Sequence, residues 1–278
     1  MNHVNHQNVV SCAMPVSDPL PSNSSSGLVS LKELVRWCDS TLSVSAFKDY
    51  APNGLQIEGS PTIAKIVTGV TASLTLIEAA ISENADAILV HHGYFWKGED
   101  ACLTGMKGQR IRRLLQKNIS LLAYHLPLDA HPELGNNAAF AELMGFTTSG
   151  GLNPDEKNPI GNIGECEPMT VPAMADLLRT KLGRRPRYLA GGPEMIRKVG
   201  WCTGGAQDFI HQAAKMGCDA YFSGEVSERT FHEAAELGIH YFECGHHATE
   251  RGGIMRLGQA VAKQFGIAVE FIDIENPV

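Results

Sequence analysis

Short apolar runs that end in imidazoles recur along this chain at the spacing of alternating strands and helices. Ile88-Leu89-Val90 runs into His91-His92-Gly93, Ile119–Tyr124 into His125, and Ile239–Cys244 into Gly245-His246-His247. Such a run suits a strand of a parallel sheet covered by helices. The chain is therefore expected to be an α/β protein with layered sheets, its chemistry gathered at the strand ends.

The rest of the pattern agrees. Ser30 and Glu33 have the spacing of a capping box and open a helix with Leu31, Leu34, Val35 and Trp37 at helical intervals. Asn53-Gly54 turns into a short strand, and Ile66–Val70 (strand), Ser73–Asn84 (helix) and Ala87–Val90 (strand) follow. After the loop Gly93–Gly108 come a helix near 109–117, the strand Ile119–Tyr124, and a helix opened by Gly135-Asn136-Asn137. The second half repeats this plan. A strand from Val199 leads to a helix near 207–216, a strand ending in Ser223-Gly224-Glu225, a helix near 229–236 and the strand Ile239–Cys244.

With a single insertion, Thr71…Asp86-Ala87 aligns with Thr203…Asp219-Ala220. That places Gly224-Glu225 opposite His91-His92, and the pair His246/Glu250 opposite His125/Asp129. We read an internal duplication of a βαβαβ unit. Each half of the duplication would deliver a His-x3-carboxylate to one shared site, in the cleft between two related lobes, 28–128 with 246–278 and 129–245. Residues 1–27, ending in a Ser-rich stretch, read as a disordered tail. Residues 147–192, rich in Gly and Pro around one amphipathic helix (Val171–Leu182, with Pro172 in its first turn), read as an edge hairpin plus helix.

Bulk properties exclude several classes. A formal charge of -7 argues against a general nucleic-acid partner, which needs a basic face. The basic clusters at Arg110–Arg113 and Arg184–Arg187 read as a solvated helix face and a turn. Seven cysteines form no C-x-x-C pair, which fits neither a disulfide framework nor a zinc knuckle and points to a reducing cytoplasm. No apolar run approaches the roughly 18 residues of a membrane span. Val9-Val10-Ser11-Cys12 looks like a lipoprotein cleavage box, but the polar residues before it lack the basic and apolar regions of a signal peptide.

The histidines carry the chemistry. Neighbours in a strand point to opposite faces, so His91 and His92 can share a site only where the chain bends, which Gly93 permits. If a helix over Ala248–Ala262 begins early, His246 and Glu250 lie four apart on one face. His247 then points elsewhere and supports the site from behind. Asp129 is a candidate bridging carboxylate. His125 is a ligand, an orienter of ligands or a general base, the last two favoured. Three imidazoles and two carboxylates exceed the three protein ligands of a single catalytic zinc. Two divalent ions of Zn, Mn, Fe or Co type, about 3.5–4 Å apart, would use them all.

Softer candidates remain open. Gly204 and Gly205 stand at a strand-to-helix junction that either receives a phosphate on backbone N–H groups or is only a tight turn. Trp96 either covers a substrate ring or anchors its loop. Glu225 and Glu228 either support the site or cap the following helix.

Taken together, Asn53–Gln56, His91-His92 with Trp96, His125-x3-Asp129 with Gly135 and Asn137, Ser223–Glu225 and the block Gly245–Gly253 resemble the Nif-three-like dinuclear-metal proteins, the GTP cyclohydrolase 1 type 2 homologues. The resemblance spans about residues 28–278. It implies two α/β lobes with a two-metal site in the cleft between them, in a cytoplasmic homohexamer shaped as a toroid. The ligands it implies are His91, His92, Asp129, His246 and Glu250. Its name implies hydrolytic opening of the guanine imidazole ring by a metal-activated hydroxide, with a nucleotide or other phosphate-bearing small molecule as substrate. A rival reading is a non-catalytic metal-binding scaffold or metal-delivery protein.

Overall fold

A computed structural model describes residues 27–278; the N-terminal tail, apart from Gly27, lies outside the described residues. The polypeptide builds two main sheets. The first has five strands in the order Ala268–Phe271, Lys65–Thr71, Ala87–His92, Ser120–Ala123 and Gly54–Ile57. Its first four strands are mutually parallel, and Gly54–Ile57 closes one edge antiparallel. The second has six strands in the order Thr147–Gly151, Asn162–Met169, Ile196–Cys202, Ala220–Ser223, His240–Glu243 and Arg187–Leu189. Here the central three are parallel and both flanks antiparallel.

The duplication seen in the sequence is structural. In the first sheet, Asp86 Oδ2 accepts the amides of Ala64 and Lys65 at 2.7 and 3.0 Å. In the second, Asp219 Oδ2 accepts those of Arg197 and Lys198 at 2.9 and 2.8 Å. Each aspartate ties the start of its central parallel strand to the start of the next. A carboxylate satisfying two amides at a strand entrance sets the register of the whole parallel trio. The alignment of Asp86 with Asp219 therefore equates Lys65–Thr71 with Ile196–Cys202, and likewise the two strands that follow each.

Each sheet is covered on both faces. In the first, Leu31, Leu34, Ile254, Leu257 and Val261 pack on one side, and Leu76, Ile77, Ala80, Ile111 and Leu114 on the other. In the second, helix Val171–Leu182 places Met174, Leu178 and Leu182 beside Trp201, Phe222 and Phe242. Across that sheet, Ile210, Ala213 and Ala234 pack with Tyr221 and Tyr241. Burial on both faces is why the parallel strands read as continuous apolar runs.

The long helix His246–Phe265 follows the last parallel strand of the second sheet but packs Ile254, Leu257 and Val261 onto the first. Beside it lies Asn136–Met144, whose Phe140 and Met144 belong to the core of the second sheet. Gly252 and Gly253 permit this approach: a methyl on Gly252 would press into Ala139, and one on Gly253 into Asn136. This helix pair joins the two sheets and carries site residues between them.

Several boundaries depart from expectation. The long helix begins at His246 rather than Ala248, because Gly245 takes φ +92° and turns the chain directly into it. The helix expected from 109 starts at Gly105, its two glycines notwithstanding. Asp129 rides on the short helix Leu126–Ala130. The 147–192 segment does supply a hairpin, Thr147–Gly151 with Asn162–Met169, and the helix. It also sends Arg187–Leu189 to the opposite edge of the same sheet, which the sequence did not suggest. No described helix is long and apolar enough to cross a membrane.

Candidate metal centre

The carboxyl ends of the parallel strands in both sheets face one cleft, as expected of α/β folds. His91 is fully buried at the end of Ala87–His92. Its Nδ1 lies 2.8 Å from the carbonyl oxygen of Tyr124. A carbonyl can only accept, so Nδ1 carries the proton and Nε2 turns its lone pair inward. That Nε2 stands 3.5 Å from both Asp129 Oδ1 and Glu250 Oε1. His92 Nδ1 lies 3.2 Å from the Thr71 hydroxyl, and its Nε2 is 3.3 Å from Glu250 Oε2.

Gly93 serves both rings, though not as the sequence suggested. Its φ is not left-handed; a side chain there would instead overlap Gln56 Oε1 and the Ala123 methyl. The glycine provides room rather than a bend.

From the start of the long helix comes His246. Its Nδ1 meets Glu225 Oε1 at 2.7 Å, and its Nε2 approaches Glu250 Oε2 at 3.1 Å. Glu225 thus stands behind an imidazole and fixes its orientation, a partnership common around metal-ligating histidines. Asp129 is held by Asn136, whose Nδ2 donates to Asp129 Oδ1 at 2.9 Å while its Oδ1 accepts from the Gly253 amide. One asparagine therefore locks Asp129 to the helix that carries Glu250.

His125 completes the set. Its Nδ1 contacts Asp49 Oδ1 at 2.7 Å, and Asp49 Oδ2 accepts from Asn53 and the Leu126 amide. Burial favours the neutral acid, but the bonds from His125 and Asn53 hold the Asp49 carboxyl down at about 2. The sequence offered no sign of Asp49, which lies in an irregular loop; Asn136 was visible only as part of a helix-opening Gly-Asn-Asn.

Three overlapping groups have ligand atoms within 4.8 Å of one another: His91/His92/His125, His92/His246/Glu250 and His91/Asp129/Glu250. Glu250 is shared by the last two, one oxygen facing each. Its Oε2 is buried and has no hydrogen-bond partner, although two imidazole nitrogens approach within 3.3 Å. A buried carboxylate oxygen in that state is costly unless a cation shares it. Nitrogen and oxygen donors without sulfur suit Zn, Mn, Fe or Co. The residues present therefore fit a metal centre.

Electrostatics agree. Burial opposes a proton on His91, yet Asp129 and Glu250 raise it to about 9. Burial again opposes charge on His246, and Glu250 and Glu225 bring it to about 9. His92 is pushed down to about 3, by burial first and then by the imidazoles around it. Burial raises Asp129, while the imidazoles of His92 and His91 overcome burial to hold Glu250 well below the usual carboxylate range. The carboxylates thus draw positive charge onto His91 and His246, while His92 stays neutral.

A cavity of about 680 Å³ opens onto these groups. Trp96 lines it, its ring 4.9 Å from that of His125, so it serves the site and not only its loop. Gly205 also lines it, in a turn whose other amides are taken within the fold. The Thr203 amide donates to Asn137, that of Gly204 to Thr249, and that of Ala206 to Ser223. Gly204, at φ +70°, is needed because a methyl there would overlap Glu250 Oε1. His247 stands outside all three groups and bonds Asp273 at 2.7 Å. It anchors the C-terminal segment.

Fold and site together define a two-lobed α/β protein with a histidine–carboxylate cluster between its sheets. The chain belongs to the DUF34/NIF3 (NGG1p interacting factor 3) family, whose profile matches residues 29–277. It is 54% identical over 249 residues to the GTP cyclohydrolase 1 type 2 homolog of Haemophilus influenzae, covering 88% of this chain and 98% of that one. The homolog of the same name from Escherichia coli K12 is 50% identical over 248 residues, with 88% and 98% covered. Among solved structures, protein ybgI, described as of unknown function, aligns with TM-score 0.87 at 48% identity over 90% of this chain and 100% of its own. A protein from Thermus thermophilus aligns at 0.81 and 30% identity, covering 90% and 100%.

Proposed function

We propose that this protein is a metal-dependent hydrolase of a small, nucleotide-sized molecule, similar in chemistry to the cyclohydrolase activity in its relatives' name. One observation carries the reading: a buried, unpartnered Glu250 oxygen among imidazoles, at the wall of a cavity large enough for a substrate. Two divalent ions would be held, one by His91, Asp129 and Glu250, the other by His92, His246 and Glu250. When bound, such ions acidify water and polarise the atom it attacks.

The chain's own groups do the rest. Tyr124 O, Thr71 and Glu225 fix the three ligand rings so that each offers Nε2. Asn136 holds Asp129 in place. His125, its Nδ1 committed to Asp49, faces the cavity and exchanges a proton through Nε2 with the attacking water or leaving group. In the hydrolysis of a ring C–N bond, the water oxygen bonds to carbon, that bond breaks, and nitrogen takes the proton.

The open cavity favours this over a metal store or scaffold, which would close the coordination shell with protein. A cytoplasmic homohexameric toroid, implied by the resemblance, completes the proposal. The described cysteines are all free, which suits a reducing compartment. Elemental analysis of the purified protein should find about two ions per chain, and hydrolysis of a nucleotide panel should cease in Asp129→Ala. Turnover undiminished in that variant refutes the assignment; light scattering tests the hexamer.

A further inference from the structure

The cavity has an unusual charge inventory for a site whose relatives are named for a nucleoside triphosphate. Away from the histidine–carboxylate cluster it is walled by Tyr50, Trp96, Leu126, Ile160 and Phe209, with Asp208 at the rim. Among the described residues, neither lysine nor arginine lines it. The guanidinium of Arg229 is already engaged by Asp208, with Glu233 3.7 Å away. Of the turn 203–206, the amides of Thr203, Gly204 and Ala206 are spent inside the fold, which leaves at most that of Gly205 for a ligand.

Recognition of a phosphate chain uses guanidinium, ammonium or free backbone N–H groups, since several negative charges must be neutralised. If a purine ring reacts at the cluster, its triphosphate must extend toward the rim. There it would meet aromatic faces and the Asp208–Arg229 ion pair, with no lysine or arginine in the walls to receive it. The same walls suit a flat, uncharged or cationic ring. Trp96 and Tyr50 flank His125, their rings 4.9 and 6.5 Å from its imidazole, which puts two aromatic side chains beside the proton-exchanging group. Stacking needs only a π-face, and Asp208 accepts a ring or sugar donor.

We infer that the substrate of this cavity is a planar heterocycle of nucleobase or nucleoside size without a phosphate chain. Trp96, Tyr50 and Phe209 hold the ring, and walls without lysine or arginine select against a phosphate chain. This rests on the hydrolase reading for the reacting end only; ring selection is a property of the walls and can be measured without turnover.

Purified protein, as isolated and after metal removal, is titrated with guanosine and with GTP at about 150 mM salt, where non-specific ionic binding is weak. Guanosine should bind about tenfold or more tightly than GTP, and Trp96→Ala should weaken guanosine by about the same factor. Asp208→Lys should shift the preference toward GTP. Binding of GTP as tight as that of guanosine, or no binding of guanosine, overturns the inference. Absence of turnover with the guanosine preference intact would sink the hydrolase reading alone. Faster ring opening of GTP than of guanosine would sink this inference and leave the hydrolase standing.

Discussion

The two lobes share a scaffold and differ at the ends of corresponding strands. In the first, the strand Ala87–His92 delivers two imidazoles directly into the cleft. In the second, the matching strand Ala220–Ser223 delivers Gly224 and Glu225, which stand outside the three candidate ligand groups. Gly224 leaves room for the His246 backbone, and Glu225 orients its ring. Where the copies agree, as at Asp86 and Asp219, the residue holds the fold. Where these strand ends diverge, one presents candidate ligands and the other provides space and support for His246. His246 and Glu250 then arrive from the long helix rather than from a strand end.

The sharpest test of that division is Glu250→Gln. It removes the one carboxylate that faces both groups of ligands, so metal content should fall from about two ions per chain to near zero. Retention of a full complement would show that Glu250 is not the shared member. Next comes Gly204→Ala, which tests the space-giving role of the second lobe. The added methyl must displace the Glu250 carboxylate and sits at a left-handed φ, so metal affinity should drop about 10- to 100-fold, as when a supporting group is lost. Unchanged affinity would deny the second lobe that role.

The aspartate clamps should show the opposite profile. Asp86→Ala and Asp219→Ala each strip the partner from two amides and should cost about 1–3 kcal/mol in urea unfolding, with metal affinity nearly unaltered. Unequal losses would break the equivalence of the copies. The smallest effect belongs to Asp49, which has no counterpart residue in the sequence alignment of the lobes. Because bonding holds its carboxyl near 2, below the unfolded value, its contribution to stability is present above about pH 4 and lost as pH falls toward 2. Asp49→Asn should flatten the acid limb of the stability curve in that window. An unchanged limb would show that the Asp49–His125 pair is not formed.

How much of this could be read in advance depended on distance along the chain. The strand-end histidines were legible because an apolar run and its terminal ligand are neighbours in sequence. His246 and Glu250 were legible because four residues span one helical turn. The separate role of His247 follows from the same geometry, since adjacent helical residues point about 100° apart. The Asp49–His125 bond joins residues 76 apart, and Asn136 reaches Gly253 across 117 positions. No local pattern marks such pairs. That the turn at Gly204-Gly205 spends most of its amides inside the fold showed only once Asn137, Thr249 and Ser223 were seen to take those of Thr203, Gly204 and Ala206.

By itself the sequence determined the α/β class, the doubled unit and the identities of the residues that meet in the cleft, because hydrophobic periodicity and short-range spacing encode them. Only the tertiary structure decided which nitrogen of each ring faces inward, which oxygen of Glu250 goes without a partner, and what charge lines the cavity. Those are properties of atoms brought together across the chain, where packing selects one orientation of each side chain.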